Sequence, residues 1–243
     1  VPDRLHRAVM EAVLGYPVRL VFAEKPLATT LEDAGALVSL AGKRNIPVIV
    51  NYSRRFVTEI SRLKQDIADN AYGAFIAGSG LYGKGILHNG THLLDLLAYL
   101  LGPITGAREL CRMHDFYDDD PTVSAVLQIG NRGMFTVQGI DCSKYTVFEA
   151  DLLFEQARIR LTDSCFTLEE YRVRESERFS GYKNLRLTRT IATDMNRAML
   201  NAVEHIHQVL SRGVSLRCSA ADAYAVMQTA LGLGVGGQAW LGS

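Results

Sequence analysis

Apolar and polar residues alternate between helical and extended patterns over the first fifty residues. The stretch "DRLHRAVMEAVLG" has an apolar stripe at Leu5, Val9 and Val13, and Gly15 marks a helix end. A second helix is predicted in "TTLEDAGALVSLAGKRN", with Thr30 as its N-cap. The runs "VRLVFAE" and "PVIVNYS" are almost continuously apolar. This order predicts an α/β layer whose parallel strands are covered on both faces.

The pattern changes after residue 56. Two helices are predicted in "FVTEISRLKQDIAD" and "HNGTHLLDLLAYLLG", with the extended segment "GAFIAGSGLYG" between them. Short alternating runs then predict an antiparallel sheet of five or more strands: "TVSAVLQIG", "GMFTVQGID", "YTVFEADLLFEQ", "ARIRLTD" and "CFTLEEYRVRE". The segments "TDMNRAMLNAVEHIHQVLSRG" and "SAADAYAVMQTALGLG" predict two closing helices that cover one sheet face. We therefore expect an α/β (α+β) chain with one unit over residues 1–56 and another over 57–243.

The two predicted parallel strands cannot form a stable doubly wound sheet by themselves, because their edges and faces would stay open. We therefore expect further strands, either upstream in a longer protein or from another chain.

Composition narrows the function. Lys plus Arg and Asp plus Glu are equal at 26 each, which argues against nucleic acid and anionic membranes as partners. The four cysteines are widely spaced, so neither a disulfide framework nor a zinc knuckle is indicated, and a reducing cytoplasm fits best. No apolar stretch approaches the roughly 20 residues of a membrane span. The function classes that remain are chemistry on a small molecule and binding to another protein.

Lys25 is the first candidate for chemistry. It follows a predicted buried strand and precedes Pro26, which biases Lys25 toward extended geometry. Ligands of open α/β sheets bind outside the carboxyl ends of the strands, where this lysine lies. A lysine there can hydrogen-bond a substrate oxygen. A solvated loop lysine is the alternative.

His88, His92 and Asp95 share one face of a predicted helix. Asp95 is placed to orient His92, and an imidazole held by a carboxylate can exchange a proton with a hydroxyl at neutral pH. Zinc is an alternative, but there is no HExxH glutamate and no third ligand. Helix capping or an internal histidine is another.

The segment "GLYGKGILHNG" is rich in glycine, which permits either close approach of a ligand or a tight turn. Tyr82 and Lys84 in it are weaker site candidates. The acidic run from Asp118 to Asp120 is interpreted as a solvated hairpin loop.

Taken together, these segments resemble the Gfo/Idh/MocA oxidoreductases, the family of glucose-fructose oxidoreductase and inositol dehydrogenase. Residues 1–56 look like the second half of that family's Rossmann domain, with matching landmarks at Pro2, His6, Glu24 to Pro26, Arg55 and Phe56. The segment "GILHNGTHLLDLLAYLLG" looks like its catalytic-histidine helix. The later strands look like its large, mainly antiparallel open sheet.

The resemblance implies an NAD- or NADP-dependent oxidation of a secondary alcohol on a sugar, a sugar derivative or a nucleotide sugar. Lys25 would hold the substrate oxygen and His92 would act as acid or base. The resemblance places His88, Asp95, Tyr82, Lys84 and Arg55 at the substrate, and Glu24, Lys25, Pro26 and Asn51 at the cofactor. A homodimer or homotetramer formed through the sheet is implied as well. His88 stands where the family often has an aspartate, which is a departure from its usual Asp/His pair.

The family's GxGxxG turn has no counterpart in these residues. We therefore expect either a longer enzyme or a truncated homologue without activity. A non-catalytic sugar-binding or assembly module is the rival hypothesis, and a histidine-based metal hydrolase is the third.

Overall fold

The computed structural model of the protein describes residues 1–131 and 133–234. Its N-terminal layer begins with a 3-10 turn at Asp3–Leu5, followed by α1 (His6–Leu14), β1 (Val21–Ala23), α2 (Leu31–Arg44) and β2 (Val48–Val50). The strands β1 and β2 pair in parallel, with Val21 opposite Val48. The hydroxyl of Thr30 accepts a hydrogen bond from the Asp33 amide at 3.1 Å, which confirms the predicted N-cap of α2.

Four more helices follow this layer. A 3-10 turn at Ser53–Phe56 leads into α3 (Thr58–Ala68), and the others are α4 (Thr91–Leu101), α5 (Ala198–Arg212) and α6 (Ala220–Gly234). α4 is buried almost all round, as its nearly continuous apolar sequence requires. It begins at Thr91, later than predicted, because residues 86–90 form one wide π-helical turn that contains His88.

The large sheet has eight strands in the order β10-β9-β8-β7-β3-β6-β5-β4. Their bounds are β3 (Phe75–Tyr82), β4 (Ile104–Met113), β5 (Thr122–Ile129), β6 (Gly133–Gly139), β7 (Glu149–Phe154), β8 (Ala157–Thr162), β9 (Thr167–Glu175) and β10 (Lys183–Ala192). β3 and β6 are parallel, and every other pair is antiparallel. The predicted fold class and the mainly antiparallel sheet are confirmed.

Two strands were absent from the sequence prediction, β4 and β10. They lie at the two edges of the sheet, and β10 exposes nearly every residue. β4 shows no regular apolar alternation, and β10 has only the short alternation of Leu185 and Leu187 among mostly polar residues.

α6 connects the two parts of the molecule, because it contacts both α2 and α4. The segment before α6 runs beside β2, where the Val50 amide donates to the carbonyl oxygen of Cys218 at 3.0 Å. One buried apolar cluster extends from Met10 in α1 to Leu233 in α6. The unit boundary at residue 56 stays a prediction, and residues 235–243 of the predicted second unit lie outside the described part.

Among the helices of residues 1–131 and 133–234, none combines the length and the apolar character that crossing a membrane requires.

Candidate functional site

Lys25 lies two residues after the last residue of β1, at the carboxyl end of the strand. Its ammonium donates a hydrogen bond to the backbone carbonyl oxygen of His88 at 2.7 Å, which connects the N-terminal layer to the turn before α4. Partial burial lowers the pKa of Lys25, while the negative charges of Asp3, Glu24 and Asp120 oppose that shift. An ammonium has three donors, so further N–H groups remain for a ligand oxygen.

His92 occupies the first turn of α4. Its ring packs edge-to-face on Tyr52, with the ring centroids 5.6 Å apart. Within the described residues, its buried Nδ1 has no hydrogen-bond partner. Burial holds the pKa of His92 well below its ordinary value, and the positive charges of Arg54 and Lys25 lower it further. The ring is therefore a neutral imidazole.

The expectation that Asp95 orients His92 is wrong. The Asp95 carboxylate instead accepts hydrogen bonds from Arg55 Nε, 3.0 Å from each oxygen, and the two side chains are only 1% and 6% exposed. Arg55 also donates to the carbonyl oxygen of Arg217 at 2.6 Å. Both residues were predicted to contact substrate, but they form an internal ion pair, because a buried charge needs a nearby opposite charge. Arg55 also lies 3.6 Å from a carboxylate oxygen of Asp222.

Arg54, the neighbour of Arg55, was not among the predicted site residues. It is buried, its guanidinium stacks 3.6 Å from the ring centroid of Phe148, and its charge acts on both His92 and Lys25. The sequence shows two consecutive arginines after β2. The 3-10 turn at Ser53–Phe56 directs one arginine to the core ion pair and the other to the site. No sequence pattern predicts which arginine takes which direction.

His88 is held by a carboxylate from a distant loop. The Nδ1 of its ring lies 2.9 Å from Oδ2 of Asp120, and the same carboxylate accepts from the backbone amides of Leu87 and His88 at 2.9 and 2.8 Å. On its other side, Nε2 lies 3.6 Å from a carboxylate oxygen of Asp3. The ring stacks on Tyr117 with a centroid distance of 4.0 Å. His88 therefore joins three segments of the chain.

The prediction of a solvated acidic loop is therefore wrong for Asp120, although Asp118 and Asp119 are exposed. The Asp120 side chain is only 4% exposed, because it satisfies the open amides of the turn at Ile86–Gly90. In the described residues no group of three or more His, Cys, Asp or Glu side chains is placed to hold a metal ion.

The glycines of "GLYGKGILHNG" pack against the protein itself. Gly85 has φ +81°, and a Cβ there would lie 2.0 Å from Oδ2 of Asp120. Tyr82, predicted to contact substrate, is fully buried, and its hydroxyl bonds both the amide and the carbonyl of Val123 at 2.8 Å. This prediction is corrected: Tyr82 fastens β3 to the start of β5. Lys84 is partly exposed, with its ammonium 5.0 Å from the ring centroid of Phe116.

Asn51 lies at the carboxyl end of β2, and only one of its two side-chain polar atoms has a hydrogen-bond partner. Its Nδ2 donates to Oε1 of Glu24 at 3.0 Å, whereas its buried Oδ1 has no partner among the described residues. The backbone carbonyl of Pro26 accepts from Nδ1 of His6 at 2.6 Å. A buried acceptor without a donor suits a ligand with amide or hydroxyl groups, and a nicotinamide dinucleotide carries both.

A family model matches residues 1–52 of the chain: GFO_IDH_MocA, an oxidoreductase family with an NAD-binding Rossmann fold. This match confirms the resemblance predicted from the sequence. A comparison with curated protein sequences finds no match.

Solved structures of oxidoreductases resemble the whole chain. A levoglucosan dehydrogenase in complex with NADH and levoglucosan superposes with a TM-score of 0.79 at 16% identity, over 95% of this chain and 76% of that one. A UDP-N-acetylglucosamine 3-dehydrogenase from Acidithiobacillus ferrooxidans gives 0.75 at 18%, over 96% and 75%. An oxidoreductase from Agrobacterium radiobacter in complex with NAD+, L-tartaric acid and magnesium gives 0.72 at 20%, over 95% and 74%. At these identities the comparison establishes the shared fold, and the chain spans about three quarters of each relative.

Proposed function

We propose that these residues form the substrate side of a nicotinamide-dependent dehydrogenase that oxidises a secondary alcohol of a sugar, a sugar derivative or a nucleotide sugar. One observation carries the proposal: the Lys25 ammonium bonds the turn directly before α4, and its charge acts on the neutral His92 ring in the first turn of that helix. A positive donor and a neutral imidazole are the two groups that hold a hydroxyl for oxidation.

Each residue contributes a separate step. Oxidation of the alcohol removes one hydride and one proton, and a bound nicotinamide dinucleotide supplies the hydride acceptor. Lys25 donates a hydrogen bond to the reacting oxygen and stabilises the negative charge that develops there. His92, as a neutral imidazole, hydrogen-bonds the same hydroxyl and accepts its proton as the hydride leaves. The Tyr52 ring supports that position of the imidazole.

The residues proposed for the cofactor are Glu24, Lys25, Pro26 and Asn51. The support is the open acceptor Oδ1 of Asn51 and the family model, which covers all four positions and describes an NAD-binding fold. Whether the chain uses NAD or NADP is left to the assay.

A carbohydrate substrate is supported by two lines of argument. Lys25 has free donors at the site, and the segment that follows β3 adds the partly exposed side chains of Lys84 and His88, which suits a polyhydroxylated ligand. Two of the solved relatives are named as dehydrogenases of levoglucosan and of UDP-N-acetylglucosamine.

We also propose a homodimer or homotetramer that assembles through the large sheet. The support is a set of exposed apolar side chains on its strands: Ile76, Leu110, Met134, Leu185 and Leu187. Light scattering coupled to size-exclusion chromatography tests this, and a monomer at micromolar concentration would contradict it.

The catalytic proposal is tested by incubating the intact protein with NAD or NADP and a panel of sugars, including levoglucosan and UDP-N-acetylglucosamine. We expect reduced cofactor with at least one substrate, and a loss of activity in Lys25→Met. Sugar binding or dimerisation without any calorimetric binding of NADH would overturn the proposal and favour a non-catalytic module.

A further inference from the structure

A polar cavity of about 300 Å³ lies between α3 and α5. Each helix contributes residues that are spaced three and four apart, so one face of each helix is directed at the cavity. Of the described residues that line it, only Phe56 is apolar, and none is proposed above for catalysis or cofactor binding. The volume falls at the lower end of the range of small-molecule sites, about 300–1,000 Å³. The cavity therefore has room for a small polar ligand.

His205 of α5 places an unpaired donor in this cavity. It is only 4% exposed, and its Nε2 accepts a hydrogen bond from the Arg217 backbone amide at 3.1 Å. Nε2 therefore carries no proton, and the proton of the ring is on Nδ1. Burial and the Arg217 charge lower the pKa of His205, which agrees with this neutral form. No acceptor among residues 1–131 and 133–234 bonds Nδ1. A buried N–H without an acceptor favours a ligand that supplies an oxygen.

Two arginines from different segments line the same cavity. Arg217 lies between α5 and α6, and its Nη1 donates to the hydroxyl oxygen of Ser61 in α3 at 3.3 Å. Arg62 of α3 is exposed, and it forms no hydrogen bond or ion pair with the part of the chain that the structure describes. Glu204 is the one carboxylate among the described lining residues. Positive charge therefore exceeds negative charge around the cavity, which favours an anion.

We infer that this cavity binds a phosphate group, either as the free ion or as the phosphate ester of a small metabolite. Its donors come from three segments: Arg62 from α3, His205 from α5 and Arg217 from the segment before α6. A tetrahedral phosphate presents oxygens in three directions, whereas a planar carboxylate presents two. Guanidinium groups also match phosphate oxygens in a bidentate arrangement.

The cavity is connected to the core ion pair through the main chain of Arg217. The carbonyl oxygen of Arg217 accepts Nη1 of Arg55 at 2.6 Å, and Arg55 pairs with Asp95 of α4. A phosphate that binds the Arg217 side chain therefore binds a segment on which the native packing of α4 depends. We expect phosphate to raise the thermal unfolding temperature, because a ligand of the native state stabilises that state.

The first test is calorimetric titration of the intact protein in phosphate-free buffer, with inorganic phosphate and with glycerol phosphate, at an ionic strength held constant with sodium chloride. We expect saturable binding with a Kd of about 1 mM or below. Arg217→Met should weaken it about tenfold or more, because charge-assisted hydrogen bonds are lost. Arg62→Met should weaken it in the same direction, and its exposed position keeps the test valid if Arg217→Met does not fold. Arg212→Met, at the exposed end of α5, is the matched control and should change the Kd less than about twofold.

The second test is ¹⁵N NMR of the histidine rings, with His205 assigned by His205→Gln. We expect phosphate to shift the Nδ1 resonance of His205 and to leave that of the exposed His207, on the same helix, unchanged. The inference would be overturned by an absence of saturable binding, by equal losses in Arg212→Met and Arg217→Met, or by an unmoved His205 resonance. Neither measurement involves a nicotinamide cofactor or an alcohol, so the site and the proposed dehydrogenase function stand or fall separately.

Discussion

Arg55 and Asp95 form a bidentate ion pair in the interior of the protein, with Nε of Arg55 3.0 Å from both carboxylate oxygens and Nη2 2.8 Å from one of them. Burial raises the pKa of Asp95 and the Arg55 charge opposes that shift. The pair joins the turn after β2 to α4, and so fixes the distance between the two elements that present Arg54 and His92.

Asp95→Asn should destabilise the fold by about 3–5 kcal/mol, because it removes the buried counter-charge of Arg55 and leaves only the more exposed Asp222 carboxylate, 3.6 Å from Nη1. Urea unfolding measures this loss, with exposed Asp118→Asn as the control that should change stability by under about 0.5 kcal/mol. The double variant Arg55→Met with Asp95→Leu should lose less free energy of unfolding than Asp95→Asn does. Equal stability of Asp95→Asn and wild type would mean that the pair does not hold the two elements together.

Lys25→Met should lower kcat/KM about a hundredfold or more, since it removes the positive donor to the reacting oxygen. Lys25→Arg should recover part of the rate, because the charge returns with different geometry. Lys43→Met, at the exposed end of α2, is the matched control. A Lys25→Met enzyme as fast as the control would remove Lys25 from the mechanism.

His92 should make the protein less stable in mild acid. Its pKa is lowered in the folded protein, whereas the unfolded chain binds a proton near pH 6.5, so protons favour unfolding as the pH falls below about 6.5. The slope from one such group approaches about 1.4 kcal/mol per pH unit.

Urea unfolding between pH 8 and 5 measures this loss of stability. His92→Gln should flatten the loss of stability in acid, but not abolish it, because burial also lowers the pKa of His205. The exposed His207→Gln is the control and should keep the wild-type slope. Parallel slopes for His92→Gln and wild type would contradict the neutral state of His92.

Gly85→Ala should disturb the His88–Asp120 contact although neither residue is substituted. Its φ of +81° disfavours a side chain, and the new Cβ would collide with the Asp120 carboxylate. We expect the free energy of unfolding, measured in urea, to fall by about 1–3 kcal/mol. Gly42→Ala in α2, where a Cβ meets no atom within 4 Å, should be neutral or stabilising. An unchanged free energy of unfolding in Gly85→Ala would mean that the turn adapts around the new methyl group.

The helices and most strands of this protein could be predicted from the sequence because their apolar patterns and end signals are local. Thr30 and the stripe of α2 are examples, since capping and periodicity are local properties. β10 was missed because most of its residues are polar and exposed, and the alternation of Leu185 and Leu187 is too short to mark a buried face.

The same distinction holds for the site residues. Lys25 and His92 could each be chosen from a short motif in the sequence around it. Asp120 and Arg54 could not, because their roles depend on contacts with residues far away in the chain. Asp95 was assigned to His92 from helical spacing, but a buried carboxylate pairs with the nearest buried cation, and that cation came from another element.

The place of β3 in the sheet determines when this protein can fold during its synthesis. Both neighbours of β3 are made long after it: Gly80 pairs with Val137 of β6 and with Ala150 of β7. Until the ribosome has released that later segment, both edges of β3 stay open and the hairpin of β4 and β5 has no strand to join. The nascent chain therefore carries an unpaired central strand for much of its translation, which makes folding slow and leaves this stage dependent on protection from aggregation.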